Sequence, residues 1–348
     1  MGNLWLNCLS RRDFLKLSGL SLLSLAGIAP PHAQRQATQP PSGAILGRVI
    51  DAESQLYDRP SMQAVKSKLI YQDTVLPISD VTVGDASTTY NRIWYDLNHE
   101  GYAYSGGIQP VQIVTNPPVE NIPASGCLGE VTVPFTDARW WPDAAETVVY
   151  RLYYATTYWI VSYQVGRDGA GWYGLLDDRL KTVYYALASH IHVIPFADLT
   201  PLSPDVPPSA KRMEVHLDQQ IVIAYEWDVP VFMSRTATGG KFSNGDYETP
   251  RGRHIIYSKR GSRHMAAGDR FAANSFDLPG IPWISYITED GIAFHGTYWH
   301  NDFGHPRSHG CVNLSPQAAR WVYRWSNPVV PPDAPSNYDP NGTVVDVI

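Results

Sequence analysis

Between Phe294 and Leu314 the chain sets one thiol, Cys311, in the turn Ser308-His309-Gly310-Cys311, with His295 upstream at the end of a short apolar run. A thiol attacks a carbonyl carbon as thiolate, and a free cysteine of pKa ~8.5 is only a few per cent ionised at neutral pH. Such a nucleophile needs an imidazole to take its proton and backbone N–H groups to face the oxyanion that develops. His295 is the base this spacing offers. His300, His305 and His309 together with Cys311 also raise a zinc reading. Zinc chemistry of that kind calls for a His-Glu-x-x-His helix or a Cys-x-x-Cys pair, and the sequence has neither. No metal and no cofactor are therefore expected. His300 and His305 are read as loop or cleft-lining residues whose replacement should be mild. Tyr298 and Trp299 are read as packing aromatics or as walls of a substrate cleft, and Arg307 is a candidate partner for a substrate carboxylate.

A rigid frame has to aim these side chains. Glu289-Asp290-Gly291 is a turn signal, and Ile292-Ala293-Phe294 after it has strand character. His295 then falls where a strand ends and a loop begins. Gly304 and Pro306 shape the return path, and Gly310 lets the backbone pass close to a bound substrate. After the thiol, Ser315-Pro316 reads as an N-cap followed by proline in the first helical turn. Ala318, Val322 and Trp325 follow at the spacing of one apolar helix face. The nucleophile thus lies just ahead of a helix start, whose free N–H groups and positive dipole end favour an anion.

The two segments His295-Gly296 and Ser308-His309-Gly310-Cys311-Val312-Asn313 resemble the signature of the L,D-transpeptidase (YkuD-type) family, position by position. Many members carry arginine where this chain has Asn313, an accepted variant. The resemblance extends upstream. Met213 to Glu226 reads as two strands around a turn at Asp218-Gln219-Gln220; Ser234 to Gly239 and Thr249-Pro250-Arg251-Gly252 are similar to the family's Ser-x-Gly and Thr-Pro-x-Gly elements. The first departs slightly, because several residues separate Ser234 from Gly239. His264-Met265 and Pro282-Trp283 also recur in similar proteins. The resemblance covers about residues 210–348 and implies a mainly β catalytic domain with a helix after the catalytic cysteine. It further implies that Cys311 attacks the third residue of a peptidoglycan tetrapeptide stem and expels D-alanine. A second stem then resolves the thioester, so stem peptides are both donor and acceptor. His295 would act as general acid–base, its tautomer fixed by a backbone carbonyl. N–H groups at Gly310 and Cys311 would hold the oxyanion, while His309, Ser308, Asn313 and Gly296 support the loop. Water as acceptor would give an L,D-carboxypeptidase, and a protein lysine would give an anchoring enzyme. A non-catalytic wall-binding protein is the alternative from another class, and intact His295 and Cys311 count against it.

The rest of the chain sets bounds. With 348 residues there is room for two or three domains. A formal charge of −6 and the lack of a basic stripe argue against nucleic acid. Three cysteines are too few for a disulfide scaffold. Ser10-Arg11-Arg12-Asp13-Phe14-Leu15-Lys16, followed by a modest apolar stretch to Ala29, reads as a twin-arginine signal over residues 1–33. That signal implies the twin-arginine translocase as an export partner and a working place outside the cytoplasmic membrane, with retention as an N-terminal anchor left open. Its removal takes Cys8 and leaves Cys127 and Cys311, for which no mutual disulfide is expected. Residues 34–44 read as a tether. Leu46-Gly47-Arg48-Val49 recurs as Leu128-Gly129-Glu130-Val131, an offset of 82 (128 − 46). Ile93-Trp94-Tyr95 returns as Gly171-Trp172-Tyr173 after a four-residue deletion, and Val111 with Val193 restores the offset. Each copy has short alternating strands and Gly/Asp turns and resembles a bacterial SH3-like domain. The expected fold is mainly β: two small SH3-like barrels, then the catalytic domain. The boundaries are 45–112 and 128–195 for the repeats, with 113–127 as a linker, 196–210 as a Pro-rich linker and 211–348 for catalysis. The repeats serve as spacer or substrate lid in preference to a demonstrated wall binder.

Overall fold

The computed structural model describes residues 44–85, 90–243, 245–268 and 275–348. The signal expected at residues 1–33 and nearly all of the expected tether lie outside the described residues. The first repeat has seven strands: β1 (Leu46–Val49), β2 (Glu53–Tyr57), β3 (Lys66–Tyr71), β4 (Val75–Val83), β5 (Ile93–Leu97), β6 (Tyr102–Tyr104) and β7 (Ile108–Val111). The second has β8 (Cys127–Val131), β9 (Phe135–Arg139), β10 (Val148–Tyr153), β11 (Thr157–Val165), β12 (Gly171–Asp177), β13 (Thr182–Leu187) and β14 (Ile191–Val193). Strand order is β3-β2-β6-β5-β4-β1-β7 in one and β10-β9-β13-β12-β11-β8-β14 in the other, the same path twice. A 3-10 turn precedes the last strand of each, at Ser105–Gly107 and Ala188–His190.

Registers follow the repeat closely. Arg48 pairs with Val75 and Glu130 with Thr157, both 82 apart (130 − 48, 157 − 75). Trp94 faces Thr82 and Trp172 faces Gln164, which places the four-residue deletion where the sequence put it. One detail is corrected. Gly47 pairs with Pro110 and Gly129 with Val193, so Val193 answers to Pro110 and not to Val111, an offset of 83 (193 − 110). The turn between β12 and β13 restores five residues after a deletion of four, and two valines at the old spacing matched only by chance. Each sheet closes around its own core, with Val49, Leu56, Leu97 and Ile108 in the first and Val131, Leu152, Ile160 and Leu175 in the second.

The catalytic segment pairs two five-stranded sheets. One runs β17 (Val229–Arg235), β16 (Ile221–Glu226), β15 (Lys211–His216), β26 (Val344–Val347), β20 (Gly252–Ile255). The other runs β24 (Val312–Leu314), β23 (Ala293–Gly296), β22 (Phe276–Tyr286), β21 (Ser258–Ala267), β25 (Ser336–Tyr338). A short ribbon, β18 (Lys241–Phe242) with β19 (Gly245–Asp246), stands apart. Period-two alternation buries Met213, Val215, Val222 and Ala224 on one side of the expected hairpin, whose turn includes Gln220 at φ 52°. These residues meet Trp283, Phe294, Val312 and Leu314 across a single core.

Helix α1 (Pro316–Trp325) covers that core with Ala318, Ala319, Val322 and Trp325. Its start is as expected: Ser315 Oγ accepts the Ala318 N–H at 3.2 Å. Its end is held by two buried lysine amino groups, since the last carbonyls of a helix have no internal partner. Lys259 Nζ donates to Tyr323 O and Ser326 O, and Lys211 Nζ donates to Trp325 O at 3.1 Å. The Pro-rich segment expected as a linker lies against this helix: Arg324 Nε donates to Thr200 O at 2.9 Å, and Leu199 enters the catalytic core.

Candidate functional site

Strands β23 and β24 run parallel, with Phe294 opposite Val312, His295 opposite Asn313 and Gly296 opposite Leu314. One further step sets Cys311 beside Ala293. Phe294, Val312 and Leu314 point into the core under α1. Alternation then sends Ala293, His295, Cys311 and Asn313 to the other face, where Ala293 packs with Ile281, Ile284 and Tyr298. Strands lie about 4.8 Å apart and rise about 3.3 Å per residue, so the backbones of His295 and Cys311 are roughly 8 Å apart, within reach of two inward side chains. Register thus puts His295 and Cys311 on one face of the sheet.

His295 is 2% exposed, and its Nδ1 lies 3.1 Å from Gly296 O. A carbonyl only accepts, so Nδ1 carries the hydrogen and Nε2 keeps its lone pair as the free basic atom. Burial lowers the imidazole to a pKa of about 4, opposed by the Gly296 bond. Cys311 donates from Sγ to Gly291 O at 3.8 Å, and burial pushes its thiol up to about 11 against the pull of an Ala293 backbone bond. The resting pair is therefore a neutral thiol and a neutral imidazole. Sequence reasoning, which counted an imidazole and a helix start as thiolate-forming, missed the burial of His295.

Backbone elements far upstream hold the cysteine turn. Thr249 Oγ1 donates to Gly310 O at 2.7 Å and accepts the Gly239 N–H at 3.0 Å. Gly239 has to be glycine, because a Cβ there would sit 2.0 Å from Tyr247 O and 2.7 Å from Gly310 Cα. The two glycine elements singled out in the sequence thus meet at the Cys311 turn. Thr238 O accepts the N–H groups of Arg307 and Ser308 at 2.9 and 3.0 Å. Ser308 Oγ donates to Cys311 O and accepts the Gly310 N–H at 3.2 Å. That last bond occupies the Gly310 donor assigned to the oxyanion, and leaves Gly310 a loop-shaping role at φ +117°. His309 is exposed against Tyr247, with ring centroids 4.4 Å apart. Gly296 packs tightly: a Cβ would meet Pro282 Cγ at 2.7 Å and Pro316 Cα at 3.0 Å.

Tyr298 takes the first of its two readings, packing, and is not a cleft wall: it is 4% exposed and stacks on Tyr153 of the second repeat at 5.4 Å, so its ring is interface core. Trp299 instead lies 5.6 Å from His295, at the site. His300 is no free loop residue either. At 5% exposure, its Nε2 lies 3.1 Å from the Asn313 side-chain amide, and its Nδ1 accepts the Asp302 N–H at 3.3 Å. Asp302, which no motif flagged, gathers Arg307 at 2.9 Å and His305 at 3.2 Å. Arg307 is exposed beyond it, where a substrate carboxylate could compete for the guanidinium. Among the described residues no group of three or more His, Cys, Asp or Glu is arranged to hold a metal ion.

Burial of two neutral imidazoles has a consequence for stability. His295 and His300 are lowered from 6.5 to about 4 and about 3, both chiefly by desolvation. An unfolded chain takes up both protons below pH 6.5 while the folded one stays neutral, so their contribution is complete above pH 6.5 and falls as pH drops towards about 4. Each ring then costs about 1.4 kcal/mol per pH unit. Urea unfolding between pH 7 and 5 should show a steeper loss in the wild type than in His300→Gln; equal slopes would contradict the burial of a neutral His300.

Residues 210–347 match the family model of the L,D-transpeptidase catalytic domain, YkuD. This segment is a catalytic domain of that family. No curated protein matches the chain. Among solved structures the chain is similar to an L,D-transpeptidase from Mycobacterium smegmatis, at 20% identity and TM-score 0.32, over 40% of this chain and 58% of that one. An Enterococcus faecium L,D-transpeptidase variant gives 17% identity and TM-score 0.31, over 40% and 50%. A fragment of the L,D-transpeptidase from Xylanimonas cellulosilytica gives 24% identity and TM-score 0.29, over 46% and 72%. The chain thus spans half the length of the enterococcal structure and under two thirds of the mycobacterial one.

Proposed function

We propose, from the L,D-transpeptidase catalytic domain at 210–347, that this protein is an exported enzyme that cross-links peptidoglycan through a thioester on Cys311. The observation that carries the reading is the His295 imidazole, pinned at Nδ1 by Gly296 O, with its basic Nε2 free on the strand face that bears Cys311. Burial pushes the thiol up to about 11 and the imidazole down to about 4, so the neutral pair is the ground state, and the proton leaves sulfur as sulfur closes on the carbonyl carbon of the stem's third residue. His295 Nε2 takes that proton, and the carbonyl oxygen gains the charge, facing the Cys311 N–H. Collapse breaks the C–N bond, and the imidazolium returns its proton to the departing D-alanine amine. An acceptor amine then attacks the thioester, loses a proton to His295, and releases the thiol with a new amide bond.

Incubating the purified protein with a disaccharide-tetrapeptide tests this directly. Free D-alanine together with a cross-linked dimer supports transpeptidation. Free D-alanine with a disaccharide-tripeptide alone would mark an L,D-carboxypeptidase. No turnover at all would favour the wall-binding alternative and overturn the enzyme.

The two seven-stranded repeats at 45–112 and 128–195 belong to the same proposal as SH3-like modules, because each repeats one strand order with its own core. The twin-arginine reading of residues 1–33 places the mature protein outside the cytoplasmic membrane, and among the described residues no helix is long and apolar enough to cross one. Replacing Arg11 and Arg12 together by lysine should strand the protein in the cytoplasm on cell fractionation; unchanged export would remove the twin-arginine reading.

A further inference from the structure

The loop from Tyr298 to Arg307 belongs to the catalytic segment, yet the first repeat holds it. Arg48, 1% exposed, donates from Nη2 to Tyr298 O at 3.0 Å. Asn301 donates its N–H to Gly106 O at 2.9 Å and its side-chain amide to Ile108 O at 3.1 Å. Tyr104 Oη donates to Asp302 Oδ1 at 2.6 Å. Asp302 is a buried carboxylate whose other oxygen takes Arg307 and His305, and whose N–H goes to His300. His300 in turn meets Asn313, the register partner of His295. Gly106 lies against the same carboxylate, since a Cβ there would come 2.9 Å from Asp302 Cβ.

We infer that Tyr104 of the first repeat is a positioning residue for the active-site loop, acting through Asp302 on Arg307 and on the His300–Asn313 pair. This rests on the transpeptidase reading and adds to it a part for the first repeat beyond spacing. Removing the hydroxyl leaves a buried carboxylate oxygen without its donor, and such a group moves towards water if its chain can follow. The loop would then carry Arg307 and His300 with it. Displacing groups that hold the substrate, and not the reacting atoms, weakens substrate binding more than it slows the chemical step. The thiol itself should be spared, because its neighbours Gly291 and Ala293 and the Gly296 anchor of His295 lie outside the loop.

The test compares full-length wild type with Tyr104→Phe and Gly106→Ala, with His99→Ala on the exposed side of the same repeat as control. Three readouts are needed: KM and kcat with the disaccharide-tetrapeptide, Cys311 alkylation by iodoacetamide across pH, and amide hydrogen exchange over residues 299–307. Tyr104→Phe should raise KM about tenfold with kcat within about threefold. Alkylation should keep its pH profile, and the loop amides should exchange about tenfold faster. Gly106→Ala should do the same, and His99→Ala should match the wild type. Unchanged loop exchange in both variants overturns the inference whatever the activity. Loss of alkylation in step with KM and kcat also overturns it, because that is general destabilisation. A wild type that alkylates but never turns over the tetrapeptide would sink the transpeptidase reading instead, and loop exchange would still decide the part played by Tyr104.

Discussion

Cys311→Ala should abolish both covalent capture of a carbapenem, read as added mass on the intact protein, and release of D-alanine from a tetrapeptide stem. A strained β-lactam amide is an acyl donor that needs the nucleophile but no acceptor, so the adduct isolates the first half of the reaction. His295→Ala should lower the acylation rate by about 10²–10⁴, the range expected when a positioned general base is lost. The reason is specific to this cleft. Burial holds the thiol near 11, so without Nε2 nothing at neutral pH takes its proton as attack proceeds. If the two groups act as one unit, the double variant loses little more than Cys311→Ala alone. Adduct formation on Cys311→Ala, or turnover that chelation removes and zinc restores, would replace the thiol mechanism with another.

Thr249→Val should be the most damaging change outside the reacting pair. The side chain is 1% exposed, and its single hydroxyl joins Gly239 N–H to Gly310 O. Valine keeps the shape and removes both bonds, leaving a buried donor and a buried acceptor unpaired. Each costs about 1–3 kcal/mol. Part of that appears as lower stability in chemical denaturation, and part as movement of the turn that presents Cys311. Acylation by a carbapenem should fall at least about tenfold, in line with displacement of an aligned nucleophile. Thr249→Ser restores the hydroxyl and should recover most of both. A valine variant as stable and as reactive as the wild type would mean that the bridge does not hold the turn.

Sequence carried the local half of the site. The Ser315 cap, the apolar face of α1, the hairpin around Gln220 and the strand that carries His295 are all set by neighbours a few residues away; the first three stand where periodicity and turn chemistry put them, and the strand runs one residue further, to Gly296. Cys311 and His295 were legible for the same reason: the residues that shape their backbone lie in the same short motif. The internal repeat was legible through its first strands, and its closing strand was misaligned by one residue because compensating insertions leave no mark in short valine-rich segments.

Tertiary structure decided what depends on distant partners and on water. Whether the resting pair is ionised follows from burial of Cys311 and His295, and burial is a property of everything packed around them, not of the motif. Of the two readings open for Tyr298, packing or cleft wall, the first holds because Tyr153, in another repeat, stacks on it. His300 became a support of Asn313, and Asp302 entered the site, through hydrogen bonds that close on Tyr104, 198 residues earlier in the chain. Caps, turns and strand faces are fixed by short-range geometry that a sequence displays directly. A buried polar group takes whichever partner the fold brings to it, and for this loop that partner comes from the first repeat.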